Sequence, residues 1–129
     1  MTPEPIDYLS VEDLLEIADS VIAGVAVRDA GLLAAAAARP RTTVFGEEAY
    51  PTFEDKAAAL LHSLVRNHAL IDGNKPLAWS ATRVFCILNG RDLSYTVDEA
   101  ESLMVAAAAG DVDVPAIASW MSHHLRAAP

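Results

Sequence analysis

Residues 52–90 decide the fold, and they read TFEDKAAALLHSLVRNHALIDGNKPLAWSATRVFCILNG. Thr52 followed by Asp55 is the pattern of an N-terminal capping box, which predicts a helix that reaches about Asn67. Asp72-Gly73-Asn74 breaks the helical pattern, and a strongly apolar helix follows until Asn89-Gly90 ends it. We therefore predict two helices joined by a short polar loop, with the second, apolar helix at the centre of the fold.

Helical segments continue on both sides of this stretch, because alanine, the best helix former, is abundant and alternating strand patterns are scarce. Two further helices are predicted ahead of this stretch: the first is capped by Ser10 and runs to Ile22, ahead of Gly24, and the second covers residues 30–39 and stops at Pro40. Two more are predicted after it: one is capped by Thr96 and Glu99 and ends at Ala109, and the last starts near Asp113 with Pro115 in its first turn. Residues 1–129 are thus predicted to form a single domain, an all-α compact bundle of about six helices around a central apolar helix.

A short hairpin is predicted directly ahead of Thr52, over residues 41–51, which we call the flap. Thr42-Thr43-Val44-Phe45 favours a strand, and the segment from Gly46 to Pro51 is typical of a turn.

Charge and composition exclude several classes of protein. The chain carries 18 acidic and 9 basic side chains, a net charge of −9, which disfavours direct binding of nucleic acid. No apolar stretch of about 18 residues is present, so no membrane span is expected. The start at Met1 lacks the basic and apolar regions of a secretory signal, and the lone Cys86 forms no internal disulfide. We therefore expect a cytoplasmic protein.

The loop at residues 66–75, RNHALIDGNK, has the composition of a phosphate-binding site. A helix start presents backbone N–H groups without intrahelical partners together with a partial positive charge, and such starts bind phosphate. Gly73 permits close approach of the backbone, Asn74 adds side-chain donors, and Lys75 adds a positive charge.

Two further side chains give this loop catalytic potential. Asp72 offers a carboxylate of the kind that a phosphate-bridging Mg²⁺ needs. His68 is of the residue type that takes a proton from an attacking hydroxyl near neutral pH. A base, a metal ligand and a phosphate cradle in the eight residues from His68 to Lys75 indicate phosphoryl or nucleotidyl transfer.

Each of these residues also has a purely structural interpretation. His68 at a helix end is a favourable partner for the helix dipole, residues 72–74 are a turn with an N-cap, and Lys75 is a solvated side chain. The coincidence of all of them at one helix start favours the functional interpretation.

The stretch from His68 to Lys75 resembles the signature of the Fic/Doc family, written His-x-Phe-x-Asp-(Gly/Ala)-Asn-(Gly/Lys)-Arg. At position 75 this chain has lysine, where Fic enzymes usually have glycine, and in this the stretch resembles the Doc (death-on-curing) branch. Arg66, the flap and the helical layout also resemble that family.

The resemblance implies an enzyme and assigns roles to its residues. Doc proteins are toxins of toxin–antitoxin modules, kinases that use ATP and Mg²⁺ to phosphorylate elongation factor Tu and stop translation, whereas Fic relatives transfer AMP. By this resemblance His68 is the general base and Asp72 the Mg²⁺ ligand. The phosphates are then bound by Arg66, Gly73, Asn74 and Lys75. No self-inhibitory (Ser/Thr)-x-x-x-Glu-(Gly/Asn) string is present, which implies a separate, Phd-like antitoxin.

Two positions depart from the family signature. Leu70 replaces the phenylalanine, a core position that leucine fills with modest repacking. Pro76 replaces the arginine that grips phosphate oxygens, removes one N–H from the cradle and disfavours the α conformation at Lys75. We expect the helix to tolerate Pro76 in its first turn and the chemistry to be weakened, which leaves a catalytically inactive binding module as the alternative.

Overall fold

The computed structural model describes residues 5–129 and, within them, six helices, one 3-10 turn and four short strands. The helices are α1 (Val11–Val21), α2 (Ala30–Ala38), α3 (Phe53–Arg66), α4 (Asn74–Leu88), α5 (Val97–Ala109) and α6 (Val114–His124). The strands are β1 (Thr43–Val44), β2 (Glu47–Glu48), β3 (Arg91–Leu93) and β4 (Leu125–Ala127). The predicted all-α class is confirmed. No helix of the described part of the chain is both long and apolar enough to span a membrane.

Local capping signals place the helix starts where the sequence predicts them. Ser10, Thr52 and Thr96 each accept a hydrogen bond from the backbone N–H three residues later, and the acidic residue at that position bonds back to the cap. Such reciprocal bonds satisfy donors that a helix start otherwise leaves open.

The ends of α1 and α2 differ from the predictions. Ile22 has an extended backbone, so α1 ends at Val21, one residue earlier than predicted. Helix α2 ends at Ala38, one residue earlier than predicted. Helical backbone does not stop at Pro40, because a 3-10 turn over Arg39–Arg41 includes this proline. Proline fits there because the first residues of a helical turn need no N–H donor.

The centre of the bundle is α3, and the prediction that the apolar helix after Asn74 is central was wrong. Ten residues of α3 are buried, against six of α4. The run Ala57-Ala58-Ala59 lets neighbours approach α3 from several sides, because alanine adds little bulk. As a result α3 packs against α2, α4, α5 and α6, and the buried side chains form one core.

A second small sheet was not predicted. Strands β3 and β4 pair antiparallel, with Arg91 opposite Ala127 and Leu93 opposite Leu125. The pair joins the segment after α4 to the segment after α6. Three-residue strands are too short to show an alternating pattern, and this pairing spans more than thirty residues of sequence.

A contact between a histidine and a glutamate links the start of α5 to the end of α6. His124 Nε2 lies 3.0 Å from Glu99 Oε2, and His124 Nδ1 lies 2.7 Å from the carbonyl oxygen of Trp120. The imidazole thus bridges the Glu99 carboxylate at the start of α5 and the backbone of its own helix. The hydrogen bond from His124 and those from Thr96 lower the pKa of Glu99 to about 2.

We predict that this pair makes stability depend on pH. The pKa of Glu99 is lower in the folded state than in the unfolded state. The ionised carboxylate therefore adds to the free energy of unfolding above pH 4.5, and this addition is lost as the pH falls toward 2. Glu99→Gln should therefore have a lower free energy of unfolding than wild type at pH 5.5, and the difference should shrink below pH 4.5. Urea unfolding across this range tests it, with the exposed Glu101→Gln as control. A difference that does not vary with pH would contradict the assignment.

Candidate active site in the loop between α3 and α4

His68 stands on the surface, directly after the last turn of α3. Asn67 is the C-cap of that helix, and His68 follows with φ +52° in the left-handed region. Helices often end on such a residue, but it is usually glycine. The imidazole belongs to an exposed residue and is not sealed in the interior, so a substrate can reach it.

Asn74 closes the loop onto the start of α4. Its Oδ1 accepts a hydrogen bond from the N–H of Leu70 at 3.0 Å, and its Nδ2 donates to the carbonyl oxygen of Leu70 at 3.0 Å. Leu70 itself is 1% exposed, which fits the predicted core role of this position. The Asn74 carboxamide, predicted to contact phosphate, is therefore used mainly to shape the loop.

Gly73 occupies a position that only glycine fits. Its φ is +89°, and a Cβ atom built on it would lie 2.4 Å from Cδ1 of Ile22. Asp72 precedes it, and Asp72 Oδ1 accepts the Gly73 N–H at 2.9 Å. This bond orients the carboxylate at the beginning of α4 while Asp72 remains exposed.

The first turn of α4 offers two open backbone donors. Leu77 N–H bonds to the carbonyl oxygen of Gly73, and Pro76 has no N–H. Within residues 5–129, the N–H groups of Asn74 and Lys75 have no hydrogen-bond partner and lie where a helix start binds anions. The helix begins at Asn74 with Lys75 inside it, so the preference of a residue before proline for extended backbone is overridden here.

Arg66 has a structural partner outside this loop. Its Nη1 donates to the carbonyl oxygen of Ala108 at 2.6 Å, and its guanidinium lies over Gly110 at the end of α5. A cation is favourable at the C-terminal end of a helix. The contacts of Arg66 therefore serve the end of α5, and a role in phosphate binding would require the side chain to leave Ala108.

The residues present fit a magnesium ion that is bound together with a nucleotide. In the described part of the chain, no three His, Cys, Asp or Glu side chains form a complete metal cage. Mg²⁺ commonly uses one or two carboxylates and completes its shell with phosphate and water oxygens. Asp72 supplies one exposed carboxylate beside the open amides, which is the arrangement that this mode of binding needs.

The flap is a tight hairpin whose tip is fully exposed. Thr43 pairs with Glu48 and Val44 with Glu47, so Glu47 and Glu48 lie in a strand and not, as predicted, in the turn. The turn itself is Phe45-Gly46, with φ of +50° and +80°. Both central residues are left-handed, as in the type I′ turns that match strand twist.

Lys56 anchors the flap from inside the protein. It is 2% exposed, its ammonium donates to the carbonyl oxygen of Tyr50, and it lies 3.1 Å from Glu48 Oε1. A buried lysine needs such partners. Arg39 adds a bond to the hydroxyl of Tyr50 at 2.8 Å.

Three residues that shape the site were not identified from the sequence: Ile22, Arg28 and Lys56. Arg28 donates to the carbonyl oxygens of His68 and Asn67 across about forty positions of sequence. No local pattern indicates such contacts. The only available signal was that Lys56 falls on the apolar face of a predicted helix, where a lysine needs a partner.

We predict that Gly73→Ala lowers the free energy of unfolding by about 2–4 kcal/mol, through left-handed strain and the clash with Ile22. Gly24→Ala is the matched control, because Gly24 also has a positive φ, +71°, but nothing lies within 4 Å of an added Cβ. It should cost about 1 kcal/mol. Placing Gly73→Ala in an Ile22→Ala background should reduce its effect. Equal losses for both glycines in urea unfolding would show that the clash is absent.

The chain is similar to a known protein family over more than half of its length. The model of the Fic/DOC family matches residues 8–86, which include all of α3, the loop and most of α4. A relative from Mycolicibacterium smegmatis (strain ATCC 700084 / mc(2)155), Toxin Doc, is 49% identical over 125 residues, which cover 95% of this chain and 96% of the relative. This chain therefore belongs to the Fic/DOC family.

Proposed function

We propose that this protein is the toxin of a toxin–antitoxin module and transfers the γ-phosphoryl group of ATP to a hydroxyl of a protein target. The observation that carries the proposal is the start of α4, where the open amides of Asn74 and Lys75 adjoin the carboxylate of Asp72. The exposed His68 lies on the same short loop. The name of the relative, Toxin Doc, supports the toxin role.

In the proposed reaction, His68 accepts the proton of the target hydroxyl as that oxygen forms a bond to the γ-phosphorus. The bond between the γ-phosphorus and the bridging oxygen breaks, and ADP leaves. The two open amides and the Lys75 ammonium hold phosphate oxygens and stabilise their charge. Mg²⁺ held by Asp72 would supply further charge neutralisation to the phosphates.

Elongation factor Tu is the target that the family resemblance suggests, and the acidic, exposed flap is a surface close to α3 that a target can contact. A separate, Phd-like antitoxin is the proposed partner, and the cytoplasm is the proposed location of both. AMP transfer is the second candidate reaction, because the same cradle can hold the α-phosphate if the nucleotide shifts along it.

The label that reaches the target distinguishes the two reactions. The purified protein is incubated with Mg²⁺, elongation factor Tu and ATP labelled either at the γ- or at the α-phosphate. We expect γ label on the factor and its loss in His68→Ala. Label from the α-phosphate on the factor would show that the protein transfers AMP and would contradict the proposed kinase activity. Absence of both labels, together with no Mg²⁺-dependent ATP binding by calorimetry, would leave a binding module.

Restoring the family arginine should increase the rate. Pro76→Arg regains both a guanidinium for phosphate and a backbone N–H, and we expect transfer to rise by about 10²–10³-fold, with stronger growth inhibition in cells. Pro76→Ala is the matched control, because it regains only the N–H, and it should give a much smaller increase. Unchanged transfer and toxicity in Pro76→Arg would show that Pro76 does not limit the reaction.

A further inference from the structure

Arg28 reaches the end of α3 from the connection between α1 and α2. Its Nε lies 2.7 Å from the carbonyl oxygen of His68, and its Nη2 lies 3.1 Å from the carbonyl oxygen of Asn67. These carbonyls follow the last helical turn, where no later helical N–H pairs with them. A guanidinium is well suited to this place, because it carries several donors in one plane and its charge opposes the negative end of the helix dipole.

The backbone of the same segment holds the next peptide. The N–H groups of Arg28 and Asp29 both donate to the carbonyl oxygen of Ala69, at 2.8 and 3.0 Å. Arg28 therefore binds the chain on both sides of the peptide that links His68 to Ala69. A rotation of that peptide would break the side-chain bond to His68 and disturb the bonds to Ala69.

This restraint acts on a residue with an unfavourable backbone. His68 is left-handed at φ +52°, a conformation that costs a non-glycine residue free energy and persists only when neighbours hold it. The direction of the imidazole follows from this φ, since the Cβ atom leaves the backbone at the same Cα. A relaxed φ would turn the ring away from its present direction.

We propose that Arg28 is a positioning residue, which holds the His68 backbone in its left-handed form and thereby aims the imidazole. Its catalytic consequence rests on the proposed function, but its structural consequence does not. Arg28 acts through His68 and not by binding phosphate. Its loss should therefore lower kcat while the KM for ATP stays within about twofold.

The test compares Arg28→Gln and Arg28→Lys with Arg126→Gln. Arg126 is the matched control, because it is also exposed and its Nη1 donates to the carbonyl oxygens of His123, in the last turn of α6, and of Leu125, directly after that helix. The first readout is the intraresidue NOE between the amide proton and Hα of His68, which is strong when φ is positive. The second is kcat and KM for ATP in the phosphoryl-transfer assay.

We expect Arg28→Gln to weaken the NOE of His68 and to lower kcat by about 10- to 100-fold, the range typical of a misplaced reacting group. Arg28→Lys keeps one charged donor and should fall between Arg28→Gln and wild type, and Arg126→Gln should match wild type. If Arg28→Gln does not fold, Arg28→Lys decides by the same two readouts.

Three results would overturn the proposal: an unchanged NOE in both Arg28 variants, a kcat equal to wild type, or a large increase of KM with kcat preserved, which would make Arg28 a nucleotide ligand. The failure of the proposed function is separate. If wild type and Pro76→Arg transfer no label, the NOE still shows whether Arg28 sets the backbone of His68.

Discussion

The site depends on one turn of the chain, which Asn74 closes by bonding to both the N–H and the carbonyl oxygen of Leu70. Leu70 is buried, and its backbone also pairs with Val27 in an isolated bridge. The loop is thus held by the start of α4 on one side and by the α1–α2 connection on the other. His68 and Asp72 stay exposed on this anchored loop. Pre-organisation of this kind is what the proposed reaction needs, because it holds His68 and Asp72 in place before a substrate binds.

Two left-handed residues frame the loop for different reasons. At Gly73 the need is steric, because Ile22 fills the space that a side chain would take. At His68 glycine would satisfy the backbone better, yet the chain carries an imidazole. A strained residue that its surroundings restrain is typical of functional sites. The restraints come from Arg28 and Asp29, far from the loop in sequence.

Charge is distributed unevenly in this acidic protein. Of its two lysines, Lys56 is buried and ties down the flap, and Lys75 is exposed at the helix start. The chain is therefore acidic as a whole and still presents an exposed ammonium at the helix start that is proposed to bind phosphate. Pro76 takes one backbone donor out of the first turn of α4 and leaves the helix intact.

The sequence by itself determined the helices and the position of the loop. Capping boxes at Ser10, Thr52 and Thr96 and the breaks at Gly73 and Gly110 are local signals, and local hydrogen bonds are enough to realise them. The loop residues were identified because they are adjacent in the chain. Only the tertiary structure decided that α3 is central, that β3 pairs with β4, and that Arg28 holds His68. The last two features join residues more than thirty positions apart, and a central α3 requires contacts with four other helices. The choice of such partners depends on how all the apolar faces are buried together, which no short pattern contains.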